Sequence, residues 1–198
     1  MRHRRLVIIL GLVAGSPAFG LSLAAQYPPR PAEPRQDTTS RSRPKDHPRL
    51  TDANIFAVFD RANLAEVEIG KLAEKQGSTA EVRDIGAMLV RDHTKKRETA
   101  QELAKKLGIT PTLPPDGKDA EDHTAKLKDL GDKKGTDFDK AFLEITIGMH
   151  EQTLEDVREK LIPAATNPEL KALLEQGLPG VQAHLDRLQS AKTRIAAR

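Results

Sequence analysis

From residue 52 onward, apolar side chains recur every three or four positions through four long stretches, and two of the three links between those stretches are only a few residues long. That spacing puts the apolar residues on one face of an amphipathic helix. A short link forces the next helix to turn back along the last. The first stretch runs from about Asp52, read as its N-cap, to Gln76, with Gly77 as the stop. The second opens on Ser78-Thr79-Ala80-Glu81, a capping-box pattern, and ends at Leu107-Gly108. ITPTLPPDGK, residues 109–118, reads as a proline-rich crossover, followed by a short helix over about 119–130. Thr136 reads as the cap of the third long helix, which should run to about Ile162 before Pro163. Asn167-Pro168-Glu169 pairs an N-cap with an N1 proline and opens the fourth helix, which reaches toward Ile195. The expected fold is all-α: an antiparallel four-helix bundle over residues 51–198, with a short extra helix in the crossover between the second and third helices. No strand pattern and no phosphate-binding glycine loop occurs in the sequence.

Each apolar stripe is broken once, near the middle of its helix. Ile55, Phe59, Ala62, Ile69 and Ala73 are interrupted by Glu66. Val82, Ile85, Leu89, Ala100, Leu103 and Leu107 are interrupted by His93. Leu143, Ile147, Leu154, Val157 and Leu161 are interrupted by His150. Leu170, Leu173, Gly177, Val181, Leu188, Ala191 and Ile195 are interrupted by His184. Counted from the hairpin turns at 1.5 Å per residue, Glu66, His93, His150 and His184 lie at depths of roughly 17, 24, 23 and 29 Å, and Asn63 at roughly 21 Å. They fall near one layer. Ionisable groups so placed need partners, because an isolated buried charge is costly. Three readings compete: a hydrogen-bonded polar layer, a metal site of neutral imidazoles and one carboxylate suited to Zn, Cu, Fe or Ni, and a stripe out of phase with the core. Asn63, Asp92 and Glu151 are the candidate supporting partners. Lys95, Lys96 and Arg97 read as a solvated helix face, and His123, beside Glu121 and Asp122, as a surface residue. No serine can be assigned as a catalytic nucleophile.

The part of the chain before residue 51 is of a different kind. Arg2, Arg4 and Arg5 precede an apolar run from Leu6 to Ala14, and Ser22-Leu23-Ala24 offers a cleavage site. Residues 1–25 therefore read as a signal peptide that exports the chain to the periplasm or medium, with an uncleaved membrane anchor as the alternative. Residues 26–50 hold six prolines and two large apolar side chains, Tyr27 and Leu50, and read as a disordered spacer that includes His47. The spacer's arginines suit an envelope partner or anionic membrane surface. The whole chain carries 32 basic and 29 acidic side chains, but residues 51–198 carry 23 and 26. The folded part has no basic excess for a phosphate backbone, and at 3% aromatic residues it has little to stack on bases, so nucleic acid is not an expected partner. The absence of cysteine excludes thiolate metal sites and disulfides.

The run DANIFAVFDRANLAEVEIGKLAEKQGSTAEVRDIGAMLVRDHTKK, with GMHEQTL and LPGVQAHL further on, resembles the bacterial domain-of-unknown-function 4142 family over about residues 52–190. The shared elements are ANLAEVEIGKLA, the Asp92-His93 pair, His150, and the LPxxQxHL that carries His184. The resemblance implies an exported, ferritin-like four-helix bundle and supplies no activity. It does not carry over a di-iron centre, which needs Glu-x-x-His pairs on facing helices. The residues three before His93, His150 and His184 are Val90, Ile147 and Val181. The leading expectation is a non-enzymatic, envelope- or stress-associated protein with a metal layer at Glu66, His93, His150 and His184. The alternatives are a metal-dependent redox or storage protein on that scaffold, and an adaptor for an envelope partner.

Overall fold

A computed structural model describes residues 50–115 and 119–197, with side chains omitted over 119–123. The expected leader, the spacer up to residue 49, His47 and the placement of His123 thus lie outside the described residues. Those described are all-helical. α1 spans Asp52–Gln76 and α2 spans Ala80–Lys106, joined by Gly77, Ser78 and Thr79. After the crossover come α3, Asp119–Asp132, and α4, Gly135–Asp156. A π-helical turn, Val157–Leu161, and a short α5, Ile162–Ala164, continue α4 without a break, and α6 spans Pro168–Ala196. Among the described residues no helix is long and apolar enough to cross a membrane.

Several helix ends differ from the sequence reading, and each difference has a specific physical cause. Thr51, not Asp52, caps α1, in a reciprocal box with Asn54. Asp52 is used elsewhere: its carboxylate accepts from the Thr166 N–H and hydroxyl and from the Asn167 N–H, tying the start of α1 to the start of α6. At α2, Thr79 caps the helix by accepting from Val82 N–H, and the expected Ser78–Glu81 box does not form. Ser78 bonds instead to the fully buried Asp139 of α4, whose carboxylate also accepts from the Thr79 N–H. α4 begins before Thr136, at Gly135, whose φ of 58° suits glycine. The expected end of α4 becomes a π turn, in which Ile162 N–H reaches back five residues to the Val157 carbonyl. Pro163 has no N–H for the Glu159 carbonyl and its ring crowds that oxygen, and the wider turn makes room. Asn167 and Pro168 open α6 as expected.

Contacts along α1 and α2 run in opposite senses. Asp60 meets Arg97, Asn63 meets His93, and Gly70 meets Gly86. The two glycines let the backbones touch: a Cβ on Gly86 would lie 2.7 Å from the Gly70 carbonyl oxygen and 2.7 Å from Glu74 N. α2 and α6 also run in opposite senses, with Glu81 bonded to Arg194 and Asp92 to His184. On α1 the buried face passes through Asn63, Glu66, Val67 and Gly70, and Ala62, expected inside, is exposed. From Phe59 the helix turns inward again after four residues, not three, as a 3.6-residue period allows. The apolar core is in two clusters. One is built around Ile85, Leu89, Phe138, Phe142, Leu143 and Leu188. The other is built around Ile55, Phe56, Ala100, Leu161, Leu170 and Leu174. Buried polar residues lie between these groups in sequence on α1 and α2, namely Asn63, Glu66 and His93, and His150 lies on α4 between Ile147 and Leu154 of the first cluster.

Candidate metal centre

Periodicity alone brings one histidine from each of α2, α4 and α6 to the inner face, and the close α1–α2 crossing puts Asn63 and Glu66 beside them. His93, His150 and His184 are 5%, 1% and 6% exposed. Their ring centroids form a nearly equilateral triangle, 5.2, 5.5 and 5.6 Å on its sides. Each ring offers one nitrogen to a common group, and the three nitrogens lie within 4.8 Å of one another.

The hydrogen bonds fix which nitrogen carries the proton. Asn63 Nδ2 donates to the Phe59 carbonyl at 2.7 Å, so its Oδ1 faces His93 and accepts from His93 Nδ1–H at 2.8 Å. His150 Nδ1 lies 2.9 Å from the Thr146 carbonyl and 3.3 Å from Glu66 Oε1, both acceptors, so it too bears the proton. His184 Nε2 donates to Asp92 Oδ2 at 3.0 Å. In neutral imidazoles the remaining nitrogen is then a bare acceptor. These are His93 Nε2, which is buried without a hydrogen-bond partner, His150 Nε2 and His184 Nδ1. The last two face each other at 3.4 Å. With this proton placement, lone pair meets lone pair.

Electrostatics keep the rings neutral. Burial holds His93 down to about 2 and His150 down to about 4, and burial also lowers His184 against the opposing pull of Asp92. Burial pushes Glu66 up to about 8, with Lys96 pulling the other way, so its contact with His150 joins two neutral groups at pH 7. Asp92 is desolvated, yet bonds from His184 and Arg91 hold it below the ordinary carboxylate value.

Of the four expected ligands, the structure groups the three histidines. Glu66 stands apart from them, against the protonated outer nitrogen of His150. Asn63 and Asp92 hold His93 and His184 as supporting partners should. Glu151 does not reach the rings: it is exposed, 3.4 Å from Gln189 Nε2. Two residues were not singled out from the sequence. Thr146 supplies its carbonyl to His150 from four residues back. Lys96, expected on a solvated face, has a buried Nζ with no hydrogen-bond partner. Its position three residues after His93 on the same helix was the available signal.

Three imidazole nitrogens with outer partners fixed on acceptors form a group that can hold a metal ion. Tetrahedral zinc–imidazole bonds of 2.0–2.1 Å would set neighbouring nitrogens about 3.4 Å apart, the separation of the His150–His184 pair.

The family described as "Domain of unknown function (DUF4142)" matches residues 36–191. No curated protein matches the chain. A crystal structure of a DUF305 fragment from Deinococcus radiodurans is similar in fold, with a TM-score of 0.63 at 13% identity, over 74% of this chain and 99% of that one.

Proposed function

The chain belongs to the DUF4142 family, and from that premise we propose that it is a non-enzymatic, exported metal-binding protein holding one divalent transition-metal ion between His93, His150 and His184. The observation that carries this reading is the facing pair of bare nitrogens, His150 Nε2 and His184 Nδ1, at 3.4 Å, with His93 Nε2 left unpartnered beside them. A cation removes the lone-pair conflict and satisfies all three. A purely structural layer must instead place a proton between His150 and His184, either by making one ring an imidazolium, which burial opposes at both sites, or by moving the His150 proton to Nε2 and setting its bare Nδ1 against the Thr146 carbonyl at 2.9 Å. Zn, Cu, Ni or Fe suits three imidazoles. Glu66 acts as the outer partner of His150 in this reading. One ion per chain fits a binding or sensing role better than bulk storage.

The scaffold reading goes with it: an antiparallel ferritin-like four-helix bundle, supported by the opposed contacts of α1 with α2 and of α2 with α6. Residues 1–25 would direct export, and the 26–50 spacer would reach an envelope surface or partner. The test is metal titration of chelator-treated protein. One ion per chain is expected, with binding lost in His93→Ala and kept in Glu66→Gln. Binding well below one ion per chain, or binding that His93→Ala leaves unchanged, would overturn the metal reading.

A further inference from the structure

Beside the three histidines lies a cavity of about 90 Å³, walled by α1, α2, the end of α4, the π turn and α6. Most of its wall is apolar, from Phe59 and Val157 to Leu174 and Val181. Glu66, His93 and Lys96 also line it, and each has a buried polar atom without a hydrogen-bond partner: Glu66 Oε2, His93 Nε2 and Lys96 Nζ. Glu66 and His93 are 4% and 5% exposed. With His93 Nε2 taken by the ion, Glu66 Oε2 and Lys96 Nζ remain; unpaired buried groups of this kind are costly in a folded protein, and two on one cavity mark a place for a polar ligand.

The ligand's class follows from the wall. Three histidines leave a metal at least one open position, and His93 is the histidine that faces the cavity. Lys96 supplies a cationic donor. Asn63, Thr153 and Asp156 are further polar positions on the wall, and the remainder suits hydrocarbon. The volume is several times what a single water needs, enough for a carboxylate with one or two further carbons. We propose that the cavity binds a small aliphatic carboxylate, with one oxygen on the ion held by His93, His150 and His184 and the other accepting from Lys96 Nζ. This rests on the metal reading above.

Cobalt(II) gives the site a visible absorption spectrum, and acetate and propionate serve as the probe ligands. The wild-type cobalt protein should show a saturable spectral change with either. Lys96→Met should keep cobalt and weaken the carboxylate response by about tenfold or more, the loss expected of a charge-assisted hydrogen bond. Gly177→Leu gives an independent check. Gly177 lines the cavity, and an added Cβ there meets nothing within 4 Å, so leucine can fill the space on a helix it favours. It should abolish the carboxylate response and keep cobalt. A cobalt spectrum indifferent to both carboxylates, or variants that respond as the wild type does, would overturn the chamber and leave the metal site standing. Failure of the wild type to bind cobalt would overturn both.

Discussion

Gly86→Ala tests the packing that brings α1 and α2 into register at the histidines. The new Cβ would meet the Gly70 carbonyl oxygen at 2.7 Å, Glu74 N at 2.7 Å and Ala73 Cβ at 2.9 Å. None of these atoms is the end of a flexible side chain, so the helices themselves must part. Ordinary contact begins near 3.4 Å, which asks for a separation of about 0.7 Å. Overpacking of this kind costs roughly 1–3 kcal/mol, and the better helix propensity of alanine returns about 1 kcal/mol. Two turns along, the Asn63–His93 bond at 2.8 Å would stretch toward the limit of a hydrogen bond, adding about 1 kcal/mol. The net loss is about 1–3 kcal/mol, or a fall in Tm of roughly 2–12 °C for a domain of this size. Gly148→Ala is the matched control: Gly148 is exposed on α4 with nothing within 4 Å of an added Cβ, so alanine should stabilise by about 0.5–1 kcal/mol. Thermal denaturation followed by circular dichroism reads both. A Gly86→Ala protein as stable as Gly148→Ala would refute the account of the crossing.

Stability should peak near pH 6.5. His93 and His150 have folded pKa values of about 2 and 4, below the ordinary 6.5, so the unfolded chain takes up protons first and stability falls as pH drops below 6.5. Glu66 has a folded pKa of about 8 against 4.5, so its contribution is full below 4.5 and is lost as pH rises toward 8. Each group contributes up to about 1.4 kcal/mol per pH unit, and below pH 6.5 the two histidines outweigh the one carboxyl. Urea midpoints measured from pH 4.5 to 8 would contradict this if they were flat or rose steadily to pH 8. Asp139→Ala should cost about 2–4 kcal/mol, since it strips the Ser78 and Thr79 N–H groups of a buried carboxylate acceptor, and denaturant unfolding would show it. Asp92→Asn should weaken metal binding by about 10- to 100-fold without unfolding the protein, as expected when the outer partner of a histidine ligand is lost; calorimetric titration measures it.

The helices were legible because apolar spacing is a property of whole stretches and survives local exceptions such as Ala62. The histidines were legible for the converse reason: each breaks a stripe that its neighbours continue. Counting residues from the Gly77 turn also set Asn63 level with His93, and the two are bonded. Helix ends were harder to read. Thr51 and Asp52 are both good caps, and only the arrival of Thr166 from the far end of the chain decides that Asp52 is used elsewhere. Lys96 looked solvated because two other cations flank it in sequence, whereas its buried Nζ belongs to a cavity walled by helices distant in the chain. Glu66 was rightly placed on the inner face, but no spacing rule tells whether a carboxylate meets the inner or the outer nitrogen of a ring.

The π turn has a consequence for how this chain can vary. Val157 and Leu161 wall the cavity beside the histidines, and their positions depend on a turn that holds one residue more than an α-helical turn would. Arg158, Glu159 and Lys160, which fill that turn, are all exposed. The shape of this wall is therefore encoded in the number of residues before Pro163 more than in the identities of those three. Substitutions at those three positions leave it in place while Pro163 stays, whereas deletion of any one of them would shift Leu161 relative to Val157 and remodel the chamber without touching a residue that lines it.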